Sequence, residues 1–297
     1  MVADARAKET VLVAGGTGML GRPVVERLRG DGYPVRVLTR EPERARSALA
    51  EGIEYARGDV DDAPSLDRAL EGVKAVHISL KAGPQPGEPE RIEHQGTARI
   101  AEAAARAGIE RITYLSGCYV APEQAAESEA EAAKLGAEQA IEASGVPFTV
   151  FKPTYFMETL PLHVQGPFGM VLGRQPHPLH MVAAGDYAGM VSRALRTPES
   201  AGRRLYVFGP EPLTIPEALR LYCRVVEGGK RVVTVPLPVM KAINRVFMDG
   251  AMSRELGLMG VMQRLGEPSD VPDAAEVLGP ATTRLREWCE RRAAGAT

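Results

Sequence analysis

The sequence predicts an α/β protein built on a doubly wound parallel sheet, with a smaller, mostly helical C-terminal lobe. Three observations lead there. An apolar run, Val11-Leu12-Val13-Ala14, passes straight into Gly15-Gly16-Thr17-Gly18-Met19-Leu20-Gly21 and then into an apolar-periodic helix. Strand and helix patterns alternate about six times up to Phe156, which requires a parallel sheet covered on both faces. Beyond Phe156 the alternation breaks into an irregular, proline-rich stretch followed by mostly helical, Met-rich sequence.

The glycine-rich turn is the most informative element. Leu20, Val24 and Leu28 recur every four residues, with Val25 beside them, so one helical face is apolar. Gly30-Asp31-Gly32 predicts the helix stop, and Pro23 falls early enough to be tolerated. Gly15 permits the tight turn out of the strand. Gly18 lets the backbone approach a pyrophosphate, and Gly21 lets helix and strand pack closely. Free N–H groups and the positive helix end then face the phosphates. The spacing is GxxGxxG from Gly15 and GxGxxG from Gly16, in the strand–turn–helix context that a dinucleotide site needs.

The second strand is Val35–Leu38, followed by Thr39-Arg40-Glu41-Pro42. A carboxylate here would accept from the adenosine ribose. Arg40 instead suits a bidentate clamp on a 2′-phosphate, which favours NADP over NAD. The alternative is a solvated helix-start residue paired with Glu41. A third strand, Ile53–Ala56, leads to Asp59 and Val60, placed to meet the adenine edge and face; a turn-capping role for Asp59 is the other reading. Asp61-Asp62-Ala63-Pro64 opens a helix with acidic caps. The fourth strand, Val73–Leu80, ends at Ser79-Leu80, beside the dinucleotide in a parallel sheet.

A Pro/Gly loop, 82–89, precedes a helix over 90–107. The fifth strand, Arg111–Ser116, delivers Ser116 and Tyr119 to the same edge. A helix over 128–144 and a sixth strand, Val146–Lys152, lead to Pro153-Thr154-Tyr155-Phe156. Asp186 is expected to cap a helix over 187–195, and Arg203–Phe208 to return to the sheet. The domain division is therefore 1–156, with 186–210 returning to it, against a substrate lobe of 157–185 and 211–297. Met240, Met248, Met252, Met259 and Met262 read as core filler in that lobe, or as a forgiving substrate surface.

At 297 residues and net charge −2, the chain offers nothing to nucleic acid or to a membrane surface. Cys118, Cys223 and Cys289 are sparse, and the polar residues 1–9 carry no secretory leader pattern. A reducing, cytoplasmic location is expected. His94, His163, His177 and His180 lack metal-ligand spacing, so no metal is expected.

The segments VLVAGGTGMLGRPVVERL, VRVLTREPERA, GDVDDAPSLDRALEGV, GIERITYLSG, KLGAEQAIEASGVPFTVFKPTYFME, GDYAGMV and YVFGPEPLTIPEAL, in this order, resemble the NmrA-like branch of the atypical short-chain dehydrogenase/reductases. The resemblance implies a Rossmann domain holding NADP(H) through Gly15, Thr17, Gly18, Met19, Leu20 and Gly21, with Arg40 at the 2′-phosphate. It puts Ser79 and Leu80 on the ribose side and Pro153, Thr154, Tyr155 and Phe156 beside the nicotinamide.

The wider superfamily uses Tyr-x-x-x-Lys, in which Tyr gives a proton to a carbonyl and Lys binds the ribose. Here Lys134 matches the lysine, but Ala130 stands where the tyrosine would be. Ser116 matches the strand-five serine without that partner. Three routes to chemistry stay open. Lys134 anchors the ribose or acts as general acid/base, Tyr119 or Tyr155 supplies a phenol, or the acceptor takes its proton from water. Packing roles for both tyrosines, and a surface ion pair of Lys134 with Glu138 or Glu131, are the structural alternatives. The expected function is NADPH-dependent reduction of a small organic acceptor: a quinone, enone, azo compound or ketone. A non-catalytic NADP(H) sensor with a protein partner, and an isomerase or epimerase on the same scaffold, are the alternatives. A homodimer is compatible with either class.

Overall fold

The computed structural model describes residues 9–248 and 250–295. Residues 1–8 of the polar N-terminal stretch lie outside the described residues. The first half runs β1 (Val11–Ala14), α1 (Gly21–Gly30), β2 (Val35–Thr39), α2 (Pro42–Ala48), β3 (Glu54–Arg57), α3 (Ala63–Leu70), β4 (Ala75–Ile78), α4 (Gly96–Arg106), β5 (Arg111–Leu115), a short α5 (Pro122–Ala125), α6 (Glu129–Ala143) and β6 (Phe148–Pro153). The second half runs β7 (Val164–Gln165), β8 (Phe168–Leu172), β9 (Leu179–His180), α7 (Ala184–Ala194), β10 (Arg203–Val207), β11 (Pro212–Leu213), α8 (Ile215–Val225), β12 (Arg231–Val235), α9 (Leu237–Phe247), α10 (Ser253–Leu265), α11 (Ala274–Leu278) and α12 (Leu285–Ala293).

Seven parallel strands form the central sheet in the order β10-β6-β5-β4-β1-β2-β3. The order reverses at β1, which pairs with both β2 and β4. A ligand crevice opens at such a reversal, outside the C-terminal strand ends. β1 is apolar throughout because both its faces are covered. Val11 and Val13 pack under α1 and α7, while Leu12 and Ala14 pack under α3, α4 and α6.

The second core gathers Met157, Leu160, Leu219, Met259, Met262 and Trp288 around a three-stranded sheet, β12-β8-β7. Met240 is buried there too, and Met248 and Met252 pack against it. Among the described residues no helix is long and apolar enough to cross a membrane.

Four local expectations are corrected. The helix expected from Glu90 begins as a π-helical stretch, Pro89–Gln95, before α4. Asp62 occupies the N-cap of α3 without a side-chain cap hydrogen bond. Neighbouring Asp61 pairs with Arg91 and Arg99 instead. Asp186 is not the cap of α7; its carboxylate accepts from the backbone N–H groups of Thr282 and Thr283, tying the C-terminal segment to the sheet. Finally, the lobe does not hold all of 211–297. Ala274, Leu278 and Ala281 join the layer under the sheet, where the Tyr206 N–H donates to the Pro272 carbonyl.

That layer contains one acid-sensitive group. His77 is fully buried in β4, its Nδ1 2.9 Å from Thr113 Oγ1. Among the described residues its Nε2 has no hydrogen-bond partner, nor does the nearby Tyr187 hydroxyl. Burial pulls the imidazole down to about 3. The folded value lies below the unfolded one, so this contribution is fully present above the ordinary histidine range. It is lost as pH falls toward the folded value, at up to ~1.4 kcal/mol per pH unit. Thermal midpoints measured from neutral to acid pH should fall less steeply in His77→Leu than in wild type; parallel curves contradict this.

Candidate active site

The glycine turn is built by close approaches that side chains would block. Gly15 has φ +86°, and a Cβ there would stand 2.4 Å from the Ser79 carbonyl oxygen. The exit of β1 therefore lies directly on the end of β4. A Cβ on Gly21 would stand 2.1 Å from the Gly15 carbonyl oxygen, so the first turn of α1 is pressed onto the loop. At Gly18 a Cβ would meet only the Gly15 oxygen, at 3.2 Å. Thr17, Gly18 and Met19 are exposed, and Leu20 is half-buried. The first turn of α1 has neither a side-chain cap nor an acidic residue. An uncapped helix N-terminus above an open glycine loop fits a pyrophosphate.

Arg40 is exposed just after β2. Glu41 pairs with Arg44 rather than with Arg40, and among the described residues no ion pair holds the Arg40 guanidinium. An exposed guanidinium fork at this position is the kind of group that a 2′-phosphate needs. One carboxylate oxygen of Asp59 accepts from the Asp61 N–H at 3.1 Å, while the Asp59 N–H donates to Ser65 Oγ. Val60 is buried against Gly96, whose missing Cβ would lie 3.0 Å from it. Leu80 packs beside them.

At the ends of β5 and β6 the groups are polar but enclosed. The Ser116 hydroxyl is buried and donates to Glu138 at 2.5 Å. Glu138 also binds Arg204 at 3.0 Å and lies 3.5 Å from Lys152 Nζ, which donates to the Val120 carbonyl. Glu138 is therefore not the surface partner of Lys134 that the one-turn spacing allowed. Glu131, the other possible partner, is bonded by the Ser128 hydroxyl. Lys134 Nζ donates to the Ser116 carbonyl at 3.4 Å. Burial lowers the Lys134 amine; Glu93 opposes that shift, and Arg254 adds to it. Ala130 is buried one turn before it.

The two tyrosines differ. The Tyr119 ring sits in the second core, 7% exposed, and among the described residues the group beside its buried hydroxyl is the Cys118 thiol. Burial, with Cys118 and Glu267 adding to it, raises this phenol far above its ordinary range. The Tyr155 hydroxyl is engaged: it donates to His163 Nε2 at 2.8 Å, since His163 Nδ1 faces the Met170 carbonyl at 3.1 Å. Burial pushes Tyr155 up to about 12 and lowers His163. The Thr154 hydroxyl donates to the His180 carbonyl, and Phe156 packs edge-on to Tyr187. The 153–156 turn thus stitches the sheet edge to both cores.

A model of the NmrA-like family matches residues 7–287. The chain belongs to that family. Among NmrA-like and related proteins, a (4-alkanoyl-5-oxo-2,5-dihydrofuran-3-yl)methyl phosphate reductase of Streptomyces griseus is 31% identical over 287 residues, spanning 95% of this chain and 98% of that one. An NAD(P)H azoreductase of Xenophilus azovorans is 30% identical over 211 residues, or 69% of each chain. The crystal structure of an Escherichia coli NADPH-dependent quinone oxidoreductase with NADPH superposes with a TM-score of 0.74, over 95% of this chain and 99% of its own, at 20% identity. At that identity the likeness speaks for the fold.

Three charged residues at this edge, Lys152, Glu93 and Arg254, carry no expectation from the sequence. Lys152 interrupts a mostly apolar strand, a readable signal of a buried partner. Glu93 and Arg254 give no such signal, because they pair with each other across 161 residues. Glu138 is expected from the sequence only as a surface partner of Lys134.

Proposed function

We propose that this protein reduces a small conjugated acceptor, such as an enone, unsaturated lactone, quinone or azo compound, with NADPH as reductant and Lys134 as proton donor. The class is an NAD(P)H-dependent oxidoreductase. The observation that carries the finer reading is the pairing of Ala130 with Lys134. The phenol used to protonate a simple carbonyl is absent, while the lysine stands half-buried beside the end of β5, its amine lowered by burial. The acyl dihydrofuranone and azo compounds in the names of two relatives are conjugated acceptors of this kind.

The glycine loop and α1 would hold the pyrophosphate, Arg40 the 2′-phosphate, and the 153–156 turn the nicotinamide, which supplies a hydride when bound. A conjugated acceptor that takes hydride at its electron-poor carbon gains two electrons and needs one proton. Its charge spreads onto the conjugated oxygen or nitrogen, so a weak, well-placed acid suffices. Lys134 supplies that proton, because desolvation brings its ammonium nearer the working pH than an ordinary lysine. The apolar lobe excludes water from the reacting face.

Lys134→Ala tests this reading. Turnover should fall by roughly 10²–10⁴-fold with a smaller change in NADPH affinity. Wild-type activity should decline on the alkaline side below the ordinary lysine range, because the acid must be protonated, and the variant should lose that limb. Unchanged turnover removes Lys134 from the chemistry. Arg40→Ser should weaken NADPH binding about 10–100-fold while leaving NADH binding unchanged, as expected for charged hydrogen bonds lost to one phosphate. Equal losses for both contradict the clamp.

A further inference from the structure

Glu93 is 1% exposed, yet it is charged and lies in the π-helical stretch before α4. Both of its oxygens are engaged by Arg254. One accepts from Arg254 Nη1 at 2.5 Å and from the Ala82 N–H at 2.8 Å; the other accepts from Arg254 Nη2 at 3.0 Å. Arg254 is the second residue of α10, so a bidentate fork joins that helix to the π-helical stretch before α4. Lys134 is near enough to feel both charges, yet its Nζ donates to the Ser116 carbonyl and, among the described residues, forms no ion pair with Glu93.

We propose that Glu93 and Arg254 are a positioning pair: by occupying the Glu93 carboxylate, Arg254 keeps Lys134 free of an ion-pair partner and available as a proton donor. The proposal rests on the reading of Lys134 given above. The charged and titratable groups acting on Lys134 are Glu93 ahead of α4, Arg254 of α10, Glu131 of α6 and the Cys118 thiol after β5. Of these, Glu93 and Arg254 are the two strongest and act in opposite directions. An unclamped Glu93 would draw the ammonium into a salt bridge and raise its pKa. A clamped Glu93 leaves burial as the dominant influence. Because the clamp comes from the lobe, correct seating of the lobe and the charge state of the amine are linked.

The test is the titration of Lys134 itself, followed by carbon-13 NMR of labelled lysine side chains and assigned by the signal missing in Lys134→Ala. Arg254→Gln should raise the Lys134 pKa and Glu93→Gln should lower it, each by on the order of one pH unit. The double variant Glu93→Gln/Arg254→Gln should return toward wild type. Arg254→Lys, which keeps the charge and is the safer variant for folding, should stay near wild type. Shifts in the same direction, no shift in any variant, or an Arg254→Lys shift as large as that of Arg254→Gln overturns the proposal and leaves the pair as a brace. The pH–rate profile is read separately. Opposite NMR shifts with an unmoved profile uphold the pair while removing Lys134 from turnover.

Discussion

Replacing Gly21 with alanine is expected to abolish dinucleotide binding and destabilise the fold. The added Cβ would stand 2.1 Å from the Gly15 carbonyl oxygen, 2.8 Å from the Gly15 carbonyl carbon and 3.0 Å from the Gly16 Cα. All three are backbone atoms and none can rotate away. Relief requires α1 to lift off the turn, which breaks the Val24, Val25 and Leu28 packing on β1. The loss of stability should be about 2–4 kcal/mol, in the range of strained or overpacked core substitutions. The helix N-terminus would also move away from the phosphates, so NADPH affinity should fall more than 100-fold, about 2.7 kcal/mol or more. Gly18→Ala is the matched control. Its Cβ meets one atom at 3.2 Å, so it should fold normally and lose affinity only through crowding of the ligand. Calorimetric titration with NADPH and a denaturation midpoint for both variants check this. Wild-type stability in Gly21→Ala contradicts the packing account.

Glu138→Leu should cost at least as much stability, for an electrostatic reason. Glu138 is the anionic centre of a buried cluster of Ser116, Lys152 and Arg204. Arg204 retains Glu142 and reaches solvent, but Lys152 is buried, and its remaining partners are the Val120 carbonyl and the Tyr206 ring. Removing one side of a buried pair leaves an uncompensated charge, at about 3–5 kcal/mol. The variant should unfold at a much lower denaturant concentration, and Glu138→Leu/Lys152→Met should recover most of the loss. If the single variant matches wild type, the cluster is not what holds β5 and β6 to α6.

The parts of the fold readable in the sequence are those fixed by local chemistry. β1 is apolar on both faces because both are covered. Gly15 and Gly21 are glycines because no Cβ fits. The sheet follows from the repeated alternation of short apolar runs with amphipathic helices. What was not readable depends on partners distant in the chain. Glu138 is one helical turn from Lys134 and looked like its surface partner, but it turns inward to a serine and a lysine on two neighbouring strands. Asp186 has the composition and place of a helix cap, yet its acceptors serve backbone N–H groups almost a hundred residues later. Glu93 falls in the helix expected over 90–107, with no local sign of burial. Its burial follows from Arg254, 161 residues away. Local pattern predicts how a segment folds, but only the assembled sheet edge decides which charges meet there.

The central claim is net hydride transfer to a conjugated acceptor. It is tested most directly by following deuterium from NADPH labelled at the transferring position of the nicotinamide into an acyl-substituted unsaturated lactone. The account predicts one deuterium per reduced molecule at the electron-poor ring carbon, the accompanying proton coming from solvent, and no reduction of a saturated ketone of similar size. Tight NADPH binding with the label retained in the cofactor for every acceptor, or efficient reduction of the saturated ketone, would contradict it.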